Sequence, residues 1–102
     1  MINWQERTIY EQMGNIGSEI GRAFKWKTID TPKAAAAAER ALRLIDGSLS
    51  SRSNRPYLKE IARVREVFAD SFYGDNQYQQ TPQLWDHYFL PYALAANSQR
   101  GL

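Results

Sequence analysis

The chain has no cysteine and one histidine, His87. Without thiols it can form no disulfide framework, no thiolate metal site and no cysteine nucleophile. A lone imidazole cannot assemble a histidine-rich zinc site, or the Glu-x-x-His pairs of di-iron bundles, within one chain. Neither a metal nor a cofactor is therefore expected. Long apolar runs are also missing: nowhere do about 18 apolar residues follow one another, and the first ten residues carry Glu6 and Arg7 in place of an apolar leader core. These absences predict a cytoplasmic protein without membrane association. An excess of one charge is lacking too. Thirteen Lys and Arg face eleven Asp and Glu, for a formal net charge of +2, far below the basic excess of a dedicated nucleic-acid binder.

What is present describes an ordinary globular domain. With 43% hydrophobic and 24% charged residues over 102 positions, the chain is too apolar for disorder and long enough for one core without staples. Residues 1–102 are read as a single helical-bundle domain. Aromatic residues reach 13%, with three Trp and six Tyr, and such residues are enriched where a surface meets a partner.

Three Xaa-Pro pairs, Thr31-Pro32, Arg55-Pro56 and Thr81-Pro82, each precede a run that reads as helix. Proline suits the first helical turn because its missing N–H is unpaired there anyway, and threonine is a good N-cap. The implied helices run from Asn3 to Lys27, Pro32 to Ser50, Pro56 to Tyr73 and Pro82 to Asn97, with Asn54 or Arg55 capping the third and Gly74 ending it. Short connections make an all-α, up-and-down antiparallel four-helix bundle the simplest architecture. The longest connection, Gly74 to Thr81, is polar and turn-rich.

Ile9, Met13, Ile16, Ile20 and Phe24 form one stripe of the first helix. Gly14, Gly17 and Gly21 flank it, each costing up to about 1 kcal/mol of helix propensity against Ala, which predicts a neighbouring helix held close. Ala38, Ala41, Leu42, Ile45 and Leu49 share a face of the second helix, and Tyr57, Ile61, Val64, Phe68 and Phe72 a face of the third. The fourth helix differs. Trp85, Tyr88, Phe89, Tyr92 and Ala96 make a core stripe, while Leu90 and Leu94 project from the opposite side. Pro91 removes the N–H that the His87 carbonyl would accept, so a kink is expected there.

Few groupings suggest chemistry. Glu66 and Asp70, four residues apart, could hold Mg²⁺, but they fall opposite the apolar stripe and beside Lys59 and Arg63, which predicts a solvated, self-neutralising face. All-α nucleotide pyrophosphohydrolases pair Glu-x-x-Glu on one helix with Glu-x-x-Asp on the next, and neither pattern occurs. Asp86 beside His87 could tune an acid or base, yet no serine or second titratable group stands at a telling spacing; His87 reads as a surface or interface residue. Arg22, Lys25, Trp26 and Lys27 interleave cations with an aromatic, the pattern that holds phosphates and stacks a base, and also the pattern that complements a helix C-terminus. Arg65 lies at the edge of the third helix's stripe and needs a partner, for which Glu6 is a candidate. Asp75 and Asn76 lie in the turn after Gly74, a candidate recognition loop or a plain cap and turn.

The segments MGNIGSEIGRA and LKEIARVREVFADSFYGDN resemble those of uncharacterised small bacterial helical-bundle proteins, a resemblance that implies no activity. In size and helix count the chain also resembles HEPN-class proteins, ribonucleases or helpers of nucleotidyltransferases. Their ribonuclease signature, an Arg followed after four to six residues by His, is absent upstream of His87. No catalytic residues are assigned. The sequence favours a small interaction or regulatory protein, a homodimer meeting through Leu90, Pro91, Leu94 and His87, with a protein partner encoded nearby. The alternative is a nucleic-acid-binding or phosphate-handling protein, nucleotide hydrolase-like or ribonuclease-like, that uses Arg22, Lys25 and Arg65 with carboxylates of the third helix.

Overall fold

The computed structural model describes residues 3–100, and they form four helices: α1 (Ile9–Trp26), α2 (Thr31–Leu49), α3 (Leu58–Tyr73) and α4 (Pro82–Arg100). α1 starts six residues later than expected, because Thr8 and Glu11 close a capping box. The Thr8 hydroxyl accepts from the Glu11 N–H and the Glu11 carboxylate accepts from the Thr8 N–H, both at 3.1 Å. Upstream, Asn3 caps a separate 3-10 turn over Trp4–Glu6. At α2 the cap is Asp30, whose carboxylate accepts from the Lys33 N–H, and Pro32 occupies the first turn.

α3 also starts late, at Leu58. Pro56 lies inside a second 3-10 segment, Arg52–Tyr57, and Asn54 is buried rather than capping. Gly74 ends α3 as expected, its N–H bonded to the Ala69 and Asp70 carbonyls. Its φ of −104° is open to any residue. Glycine is favoured there by space, since a Cβ would lie 3.0 Å from the Asp70 carbonyl oxygen and force a small shift. The Thr81 hydroxyl caps α4, which continues past Asn97 to Arg100 with Pro91 inside it.

Side-chain pairs show how the helices pass. Gln12 meets Ser48 and Glu19 meets Arg40 across α1 and α2; Arg65 meets Asp46 across α3 and α2. Tyr10 packs on Tyr92, and Gly17 faces Phe89, across α1 and α4. In the α1–α2 and α1–α4 pairs, residues early in one helix meet residues late in the other, so these neighbours are antiparallel. α3 and α4 approach chiefly through side chains, and a cleft remains between them.

The core holds Ile9, Met13, Ile16 and Ile20 of α1, Ala37, Ala38, Ala41 and Ile45 of α2, Ile61, Val64 and Phe68 of α3, and Trp85 and Phe89 of α4. Alanines on α2 keep its core face shallow, so α1 can sit close. Tyr57, expected in the core, is 38% exposed, because the late start of α3 leaves it in the 3-10 segment. One end of the bundle is closed by polar groups instead. The buried Gln12 donates to the Trp4 and Arg7 carbonyls and accepts from the Ser48 hydroxyl and the Asn54 amide, both at 2.7 Å.

Candidate functional site

Three surfaces carry the groups singled out above. On the outer side of α4, Leu84, Leu90 and Leu94 are 51, 53 and 58% exposed, and His87 and Pro91 between them are exposed too. Spacings of three and four residues put all five on one side of the helix. Beside this ridge runs a groove of about 280 Å³ whose α1 wall is Gly14, Gly17, Ser18 and Gly21 and whose α4 wall includes Phe89 and Leu90. A Cβ on Gly17 would fall 2.5 Å from Phe89, which explains that glycine by close approach. Gly21 differs, with nothing within 4 Å of where its Cβ would sit.

At the corner where α1 ends and α2 begins, Trp26 meets cations from both helices. The Lys25 ammonium lies 5.2 Å from its ring centroid and the Lys33 ammonium 4.6 Å. Glu19 holds two guanidiniums: one oxygen meets Arg22 Nη1 at 2.5 Å and the other meets Arg40 Nε at 2.8 Å. Arg22, Trp26, Lys33, Ala36 and Arg40 line a shallow dish of about 140 Å³. Lys27, from the same stretch of sequence, does something else. Its ammonium caps the end of α3 at the Phe72 carbonyl and lies over the Phe24 and Phe72 rings.

The third surface is the cleft between α3 and α4, about 240 Å³, with Val64, Val67 and Trp85 among its apolar walls and Glu60, Arg63, Tyr78 and Tyr88 among its polar ones. The Tyr88 hydroxyl donates to the Glu60 carboxylate, and burial, then that bond, pushes the phenol far above its usual range. Tyr78 donates to Glu66 at 2.8 Å, which also raises its phenol, while the Arg63 guanidinium lies over its ring. The Trp85 indole N–H is buried and has no hydrogen-bond partner among the described residues. Also among those residues, no three His, Asp or Glu side chains converge as a metal ion requires.

Comparison with protein-family models, curated proteins and solved structures finds no match. No helix among the described residues is long and apolar enough to cross a membrane.

Several expected roles change. Arg65 pairs with Asp46 at 2.8 Å, a bond that raises its pKa, and not with Glu6. Glu6 lies in the 3-10 turn before α1, so it never takes the helical register that would aim it at α3. Glu66 and Asp70 are not a merely solvated face. Asp70 accepts from the Gln77 and Tyr78 N–H groups at 3.0 Å and, with Glu66, anchors the loop after α3. Asn76 pins the same loop, its side chain exchanging hydrogen bonds with the Gln80 backbone at φ 54°. That is a turn-forming role. Lys33 and Arg40 were not singled out in the sequence, since only the α1–α2 pairing brings them to Trp26. Leu84 had a legible signal, seven residues before Pro91 and so on its side of the helix.

Proposed function

We propose that the protein is a self-associating interaction module, a homodimer in which the outer side of α4 meets its own copy. The carrying observation is the exposure of Leu84, Leu90 and Leu94 on one side of α4. Contiguous apolar patches of this kind mark interaction sites on soluble domains.

Size decides how much surface must take part. α4 has 19 residues, hence a length of about 28 Å at 1.5 Å per residue and a width of about 10 Å. One such helix face offers on the order of 300 Å², well under the roughly 800 Å² per partner of a standard interface. The adjoining groove against α1 has to take part as well, and its glycine wall leaves room for a ridge of side chains. A two-fold axis beside Leu90 lays the ridge of each copy into the glycine groove of the other, an isologous contact. Between Leu84 and Ser98 the only formally charged side chain is Asp86, so the face can meet itself with little like-charge repulsion. The reading includes a bend at Pro91, which would turn the unpaired His87 carbonyl outward on that face.

An interface of this modest area falls in the size class of weak, reversible complexes. Sedimentation of the native protein should give a dimer at high micromolar concentration. The double change Leu90→Glu and Leu94→Glu should give a monomer with unchanged helical circular dichroism. A native protein of monomer mass throughout that range overturns the reading and leaves the ridge to a different partner.

A further inference from the structure

We infer that the corner joining α1 to α2 binds single-stranded nucleic acid, with phosphates on Arg22, Lys33 and Arg40 and a base against Trp26. None of these residues lies on α4, so the inference stands apart from self-association.

The bland account of cations near Trp26 is that they complement the negative C-terminal end of α1. It covers Lys25, in the last turn of α1. It fails for Lys33, in the first turn of α2, where the helix dipole disfavours a cation, and for Arg40, in the middle of that helix. Ion pairing holds Arg40 to Glu19 but gives Lys33 no carboxylate among the described residues. Among the described residues Glu19, with its side chain only 14% exposed, is the one carboxylate bonded to this group of cations, and it is shared by two arginines. Asp30, also close by, is engaged in capping α2. Four cations thus surround Trp26 with one carboxylate bonded among them, in a molecule whose formal charge is only +2.

The way Glu19 holds the arginines leaves them usable. Arg40 is bonded through Nε, so both of its terminal nitrogens remain for a phosphate. Arg22 is bonded through Nη1, leaving Nε and Nη2. Guanidiniums fixed in this way lose less freedom on binding. Trp26, half-buried in the wall of the dish, supplies a flat surface on which a base of any identity can stack once the flexible Lys33 ammonium swings from the ring to a phosphate. Volume then separates a polymer from a free nucleotide. About 140 Å³ of shallow dish is well below the roughly 300 Å³ at which small-molecule pockets begin. A strand laid across the corner does not need enclosure.

The probe is a fluorescent oligouridylate of about a dozen nucleotides, a length set by the few nucleotides per site of single-strand binders, titrated by anisotropy. Three phosphate contacts predict a slope near −2 in log affinity against log salt, about a 100-fold loss for a tenfold rise in salt. Lys33→Ala with Arg40→Ala should weaken binding at low salt and flatten the slope by roughly 0.7 per cation removed. Trp26→Ala should cost about tenfold with the slope unchanged, the signature of lost stacking. Arg52→Ala with Arg55→Ala, far from the corner in sequence, should change nothing. Three results each overturn the inference: no binding at low salt, equal loss from the Arg52/Arg55 pair, or displacement by inorganic polyphosphate together with indifference to Trp26→Ala. The last would show a patch that recognises charge alone.

Discussion

Gln12 is fully buried and uncharged, and its amide uses all four hydrogen-bonding positions, two donated to the Trp4 and Arg7 carbonyls and two accepted from Ser48 and Asn54. A satisfied buried amide of this kind holds partners that cannot turn to water if it leaves. Gln12→Leu keeps the volume but strands several of them, at about 1–3 kcal/mol each before relaxation. Urea unfolding should therefore place the variant about 2–4 kcal/mol below the native protein; a loss under about 0.5 kcal/mol would mean the network contributes little. Tyr88 carries a second residue-scale expectation. Burial and the Glu60 bond favour its neutral phenol, so its folded pKa exceeds the unfolded value of about 10. The stabilisation is complete below about pH 10 and is lost as pH climbs above it, because the unfolded chain ionises first. Tyr73, raised by burial and by Glu39, and Tyr78, raised by its Glu66 bond, push the same way. Thermal melts from pH 8 to 11 should fall steeply at the alkaline end, and less steeply for Tyr88→Phe; identical profiles would remove Tyr88 as a cause.

At the scale of the element, the glycines of α1 separate two effects that share one sequence signal. Gly14 and Gly17 sit against α4, and a Cβ on Gly17 would run into Phe89 at 2.5 Å. Gly17→Ala gains about 1 kcal/mol of helix propensity and meets an overpacking cost of about 1–3 kcal/mol, so a net loss is expected. Gly21→Ala meets nothing within 4 Å and should keep the whole propensity gain, raising stability by about 0.5–1 kcal/mol. Opposite signs in denaturant midpoints for the two variants confirm the assignment. The same change at Gly21 narrows the groove beside Leu90, so it should also weaken self-association, which sedimentation reads independently.

For the whole molecule, the seam between α3 and α4 is the looser side of the bundle, joined by the Tyr88–Glu60 bond and the loop that Asp70 and Glu66 anchor. The opposite arrangement holds on α1, which packs against both α2 and α4. The proposed dimer surface, on α1 and α4, therefore lies on the more closely packed side of the molecule. The proposed association with a second copy would stabilise the folded state by mass action, so the melting temperature should then rise with protein concentration. It should stay flat for the Leu90→Glu, Leu94→Glu variant.

Helix number, the starts of α2 and α4 and the inward stripes were legible in the sequence because each depends on a window of a few residues. Thr81-Pro82 starts α4, Gly74 ends α3, and Ile9, Met13, Ile16 and Ile20 point inward by spacing alone. The Thr8-x-x-Glu11 box that delays α1 belongs to the same local class and is visible in the sequence once sought. The exposure of Leu90 and Leu94 was equally local, since a helix with apolar residues on opposite sides cannot bury both against one core. Partners across helices were not legible. Whether Arg65 reaches Asp46 or Glu6, whether Lys33 and Arg40 join Arg22 at Trp26, and whether Gln12 is sealed between Ser48 and Asn54 all depend on how far one helix slides and rotates against another. That register is the outcome of packing the whole core, and no short stretch of chain contains it.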